Sequence, residues 1–170
     1  MTGNVAAPDI FGIPNVMNAY TQTLSAIELY GPTLFGPVLS NFLAYVQSIK
    51  ASGAKIYNIL MILTDGEIND MPETRSLIVD LANEPCSVII VGVGNANFAS
   101  MNVLDGDNGV LSDTKGRKCS RDIVQFVPFN ETIKRGSLNE QVLKEVPRQF
   151  EKYMRSIGAI PAPTQQVIPQ

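Results

Sequence analysis

The chain has 170 residues, enough for one domain with a sizeable core and hardly two. Apolar residues make up 45% and charged residues 17%, which excludes broad disorder; a net charge of −3 without any block of five like charges excludes a nucleic-acid footprint or a polybasic membrane patch. Histidine is absent, which removes Ser-His-Asp and Cys-His catalysis, histidine-ligated zinc and the commonest general base near neutral pH.

No stretch approaches the roughly 18–20 apolar residues of a membrane span. Met1-Thr2-Gly3-Asn4 lacks the basic region and apolar core of a signal peptide. Cys86 and Cys119 lie far apart and fit no C-x-x-C pattern, so a reduced, intracellular protein is expected.

In chain order, Thr2 to Gly12 reads as a loop, and Pro14 suits the first turn of a helix. Ile13, Val16, Met17, Tyr20, Leu24 and Ile27 follow at spacings of three and four, one face of an amphipathic helix that Tyr30-Gly31-Pro32-Thr33 breaks. Pro37 opens a second helix with Val38, Leu39, Phe42, Leu43, Val46 and Ile49 inward. Tyr57 to Asp70 is the organising stretch. Ile59 to Leu63 is an unbroken apolar run bounded by turn residues, the pattern of a strand buried on both faces of a parallel sheet. It stops at Thr64-Asp65-Gly66, so Asp65 stands at the carboxyl end of a strand, where open α/β sheets bind ligands.

Asp70 with Glu73 has the spacing of a capping box for a third helix, with Leu77, Ile78 and Leu81 as its apolar face and Pro85 ending it. Ser87 to Val91 is a second buried strand, closed by Gly92-Val93-Gly94. A short helix over Phe98 to Leu104 precedes a polar, glycine-rich excursion from Asp105 to Ser120. Asp122 to Val127 is the third strand, stopped by Pro128. Ser137 and Glu140 repeat the capping-box spacing before Leu138, Val142, Val146 and Phe150, and Pro147 should kink or break that helix. The prolines after Ile157 mark residues 158–170 as a tail.

The alternation defines an α/β fold, doubly wound around a mostly parallel sheet, with right-handed crossovers. Only three strands are evident, so the Ile59–Leu63 strand falls at an edge unless further strands precede it. Such an apolar edge invites pairing with another chain, including self-association.

Thr33 near a helix start and Asp65 at a strand end are hard oxygen donors of the kind magnesium, manganese or calcium prefers. Helix and turn capping accounts for the same two residues without a metal. The Asp105-Gly106-Asp107-Asn108-Gly109 cluster fails as an EF-hand, having Val110 and Gly116 where glycine and glutamate belong. Gly92-Val93-Gly94 lacks the third glycine of a dinucleotide loop, Asn97 standing there instead. Asn130-Glu131-Thr132 matches a glycosylation sequon. Lys115, Arg117, Lys118 and Arg121 form a basic cluster that reads as a solvated loop, with lipid-headgroup or acidic-partner contact as the alternative.

Leu29-Tyr30-Gly31-Pro32-Thr33, Ile62-Leu63-Thr64-Asp65-Gly66 with Ile68 and Asp70, Ile89 to Gly94, Leu104 to Asp107 and Arg121 to Phe129 together resemble the copines, in order and at matching spacing from about Ile13 to Ile157. The Thr64-Asp65-Gly66 block is shared with the wider von Willebrand factor type A group. The resemblance implies a copine A domain over residues 1–157, Rossmann-like, with a metal-ion-dependent adhesion site at its rim. Thr33 matches that site's second loop and Asp65 its third, with Asp70 as a group behind the ligands. The first-loop Asp-x-Ser/Thr-x-Ser pattern is missing, as are the opening strands, so Mg2+ or Mn2+ would be held weakly or not at all by this chain. The resemblance further implies a non-enzymatic protein-interaction module, cytoplasmic and peripheral to the plasma membrane, in a family of calcium-dependent phospholipid-binding proteins. Its partners would be intracellular proteins, the membrane being met through C2 domains not present here. The alternatives are a magnesium-dependent phosphoryl-transfer enzyme, for which no phosphate-cradling loop is visible, and the scaffold part of a copine-like ubiquitin ligase, for which no Cys/His cluster is visible.

Overall fold

The computed structural model describes residues 9–28, 30–106 and 109–159. The predicted tail lies almost wholly outside them, as do Asp107 and Asn108 of the acidic cluster. The chain forms two compact units, Met1–Pro32 and Thr33–Gln170. The first contains α1 (Ile13–Ala26), with proline in its first turn as expected. None of its residues is buried, and Ile13, Met17, Tyr20 and Leu24 are exposed.

The second unit runs α2 (Gly36–Ala51), β1 (Asn58–Thr64), α3 (Met71–Leu81), β2 (Cys86–Gly92), α4 (Ala99–Leu104), β3 (Val124–Pro128), α5 (Phe129–Lys134), α6 (Leu138–Leu143) and α7 (Val146–Ser156). The three strands form one parallel sheet in the order β1-β2-β3. On one face Val88, Ile90, Val124 and Phe126 pack with Phe35, Leu39 and Val46 of the α2 region, Ile78 and Leu81 of α3 and Met101 and Leu104 of α4. On the other face, Gln125 donates to Gln141 O and accepts from Glu145 N–H, and Gln149 reaches Val124 O, so β3 is tied to α6 and α7. Helices therefore cover both faces, the mixed α/β arrangement that alternating strand and helix patterns dictate.

β2 is buried along its whole length. β1 is not, which corrects the reading of Ile59–Leu63 as a strand enclosed on both faces. Leu60 and Ile62 pack against the core, but Ile59, Met61 and Leu63 are 46%, 49% and 68% exposed. An apolar run shows what a strand tolerates on each face, not whether a neighbour is there to cover it. Asn58 N–H donates to Pro85 O, and Thr64 O accepts from Val93 N–H. The even-numbered residues of β1 thus face β2, and Ile59, Met61 and Leu63 turn their backbone groups to an edge that no described strand occupies.

Pro147 breaks the predicted C-terminal helix, falling in the first turn of α7. α5 was not foreseen; it has six residues and no apolar periodicity. Gly92 is fixed by packing. A Cβ there would lie 2.9 Å from the Phe126 ring and 3.0 Å from that of Phe98, so this glycine serves an aromatic contact at the end of β2.

Both cysteines are free thiols. Burial pushes Cys86 up to about 12 and Cys119 up to about 11 from an ordinary 9.0. A raised thiol value keeps the neutral form in the folded state. The stability linked to it is complete below pH 9.0 and lost as the pH rises through about 11–12. At pH 8 a disulfide reagent should therefore label the native protein far more slowly than the urea-unfolded chain, measured by release of its chromophore. Equal rates would contradict the burial.

Candidate functional site: the rim at the end of β1

Two loops meet at the carboxyl end of β1. One, Thr33 to Phe35, enters α2; the other, Asp65 to Asp70, links β1 to α3. Each is anchored from below by a buried apolar residue, Phe35 in the first and Ile68 in the second, both in the main core. Asn69 ties them together. Its side-chain oxygen accepts from Thr33 N–H at 2.7 Å, and its own N–H donates to Thr33 O at 2.9 Å. A methyl group on Gly66 would sit 3.6 Å from Thr33 Oγ1, so the threonine hydroxyl lies against the residue that follows Asp65. Asp65 itself is exposed.

Asp70 occupies the N-cap position of α3, as the spacing predicts, but its side chain does not cap that helix. The carboxylate crosses to α2, accepting from Phe35 N–H at 3.0 Å and Gly36 N–H at 2.7 Å, while the Thr74 hydroxyl donates to it at 3.2 Å. Negative charge against free N–H groups at a helix start is favourable twice over, through hydrogen bonding and through the helix dipole. Gly36 makes this possible, since a Cβ there would fall 2.8 Å from Asp70 Oδ2 and 2.7 Å from Glu73 Cδ. Ser137, the other expected cap, likewise makes no side-chain cap bond.

Thr33 and Asp65 suit a hard divalent cation in kind, but supply two donors where about six oxygens are needed. Both Asp70 oxygens are engaged at α2. Among the described residues no group of three His, Cys, Asp or Glu side chains could hold a metal ion. Thr33 and Asp65 alone therefore fall short of a complete coordination sphere.

The predicted basic cluster is dispersed. Arg117 donates to Asp113, Asp80 and Ser76, fastening the Ser112–Lys118 bridge to α3. Arg121 is buried under the sheet, bonded to Glu84 O, Cys86 O, Gln149 O and Tyr57 Oη. Lys115, Arg117 and Lys118 stay exposed while Arg121 is buried, because basic residues on a turn and at a strand entry point in different directions. Asn69, missed in the sequence, carried only the weak signal of an amide residue just before a helix.

A three-stranded parallel sheet flanked by helices is the arrangement of a von Willebrand factor A-like α/β domain. The copine family model matches residues 1–162, and the chain belongs to that family. It is 44% identical over 165 residues to Copine-C of Dictyostelium discoideum, covering 95% of this chain and 30% of that protein. It is 42% identical over 167 residues to Protein BONZAI 2 of Arabidopsis thaliana, covering 96% of this chain and 28% of that protein. The chain therefore spans less than a third of these relatives. Among the described residues no helix is long and apolar enough to cross a membrane.

Proposed function

We propose that this chain is a non-catalytic recruitment module, binding intracellular protein partners at the rim that Thr33 and Asp65 form. The observation that carries the reading is the exposed Asp65 at the end of β1, on a loop that Asn69 fastens to Thr33 and whose Gly66 lies against the Thr33 hydroxyl. The loops Thr33–Phe35 and Thr64–Asp70 contain acidic residues and no lysine or arginine, so their field favours a cation over an anion. A bound Mg2+ or Mn2+ would supply an open coordination position to a partner's carboxylate. Asp65 then provides the anionic ligand, Thr33 the neutral one, and Asp70 acts behind them by holding the α2 end of the first loop. With two protein donors the affinity belongs in the millimolar range or weaker.

In the longer copines we place this module on the cytoplasmic side, membrane contact coming from calcium-dependent phospholipid-binding C2 domains.

The test is a Mn2+ titration of the full chain followed by electron paramagnetic resonance of the free ion. The wild type should deplete free Mn2+, and Asp65→Ala should reduce that depletion about tenfold, one anionic ligand being lost. Undiminished depletion by Asp65→Ala would overturn the metal role.

A further inference from the structure

We propose that Ser137 is a phosphorylation site, accepting the γ-phosphoryl group of ATP from a serine kinase that reads basic residues two and three positions before its target. The proposal goes beyond the recruitment reading and is independent of the rim's metal.

Three hydroxyl residues in the chain, Ser52, Ser120 and Ser137, have lysine or arginine two or three positions before them. Ser52 has Lys50, Ser120 has Arg117 and Lys118, and Ser137 has Lys134 and Arg135. Kinases select substrates by such charge patterns, and can use them only where the bases and the hydroxyl are free to be bound.

The structure separates the three. Ser52 donates its hydroxyl to Ile49 O at 2.7 Å, and Lys50 is paired with Glu84 at 2.8 Å. Ser120 donates to Ala82 O at 2.9 Å, while Arg117 is held by Asp80, Asp113 and Ser76. Ser137 differs on both counts. Its hydroxyl makes no cap bond to α6. Lys134 and Arg135 are exposed and, among the described residues, form no ion pair. A surface depression of about 320 Å³, lined by Ser137 with Ile133, Gly136, Leu138, Asn139 and Glu140, leaves open space beside the turn.

The turn can also open. A kinase takes its substrate as an extended segment, so Lys134 to Leu138 must leave the path between α5 and α6. Gly136, at φ 71°, makes this turn, which Arg135 N–H to Thr132 O and Gly136 N–H to Ile133 O close. α6 buries none of its residues and Lys134 to Gly136 are exposed, so few contacts are lost on opening. Both short helices contact β3, the sheet edge remote from β1.

In the transfer, Ser137 Oγ bonds to the γ-phosphorus as the bridging bond to ADP breaks, and the hydroxyl proton passes to the kinase's base. The phosphate carries about −1.5 to −2 charges, enough to cancel those of Lys134 and Arg135. An exposed basic turn becomes a nearly neutral one.

The experiment incubates the folded full chain with ATP and the catalytic subunit of cyclic-AMP-dependent protein kinase, read by phosphopeptide mass spectrometry. Ser137 should carry most of the phosphate, with Ser52 and Ser120 unmodified. Arg135→Ala, at an exposed position, should leave the circular dichroism unchanged and lower kcat/KM at Ser137 about tenfold, one charge-assisted contact being lost. Arg135→Lys should restore part of that loss. A folded chain without phosphate on Ser137 would overturn the proposal. So would more phosphate on Ser52 or Ser120 than on Ser137, or labelling indifferent to Arg135→Ala.

Discussion

Arg121→Ala should lower the free energy of unfolding by roughly 3–5 kcal/mol, a large part of what a single domain possesses. The guanidinium is buried, with one nitrogen 2.5 Å from Glu84 O and 2.8 Å from Cys86 O and another 3.3 Å from both Gln149 O and Tyr57 Oη. It also lies 5.3 Å from the Tyr153 ring centre and 6.0 Å from that of Tyr57. These partners come from the turn after α3, the start of β2, the residue before β1, and α7. One side chain therefore closes the lower end of the sheet. Its removal leaves buried carbonyls without donors and a void beneath two aromatic rings, and each orphaned carbonyl costs on the order of 1–3 kcal/mol. Arg121→Lys keeps the charge but loses the planar fork, so it should recover only part of the loss. Urea unfolding measures both. A loss below about 1 kcal/mol for the alanine variant would show that water replaces the guanidinium without penalty.

Asp70→Ala should cost roughly 2 kcal/mol, within the range seen for removing a strong helix cap. The effect should concentrate at the start of α2, because the lost acceptor serves the N–H groups of Phe35 and Gly36. Amide exchange at those two positions should accelerate more than at the middle of α2. Asp70→Asn, which keeps an acceptor but not the charge, should lose about half as much. If exchange quickens instead at the first turn of α3, the carboxylate serves its own helix and the rim is held by other means.

Much of this architecture is legible in the sequence, and the exceptions have physical causes. Ser87–Val91 and Ile59–Leu63 carry the same apolar signature, yet one is enclosed and the other stands at an edge. Periodicity records the faces of a strand and says nothing of its lateral neighbours. Asp70 was readable as an N-cap by position, but which helix its carboxylate serves depends on how closely α2 and α3 approach, and that depends on Gly36. Arg117 and Arg121 look like one basic patch because they are close in sequence; a turn and a strand entry separate them in space. That the loops of Thr33 and Asp65 meet at one rim followed from family resemblance rather than spacing. No local pattern links two loops that belong to different helix–strand units. The bond that fixes them, Asn69 to Thr33, is invisible until the loops are placed.

That Thr33 and Asp65 form a single cation-attracting rim is tested most directly by substoichiometric Mn2+ and the backbone amide spectrum of the isotope-labelled chain. Paramagnetic broadening should appear first at Thr33, Asp65 and Gly66 and should vanish there in Asp65→Ala. Broadening that begins elsewhere, at Asp80 and Asp113 for example, with the rim unaffected, would contradict it.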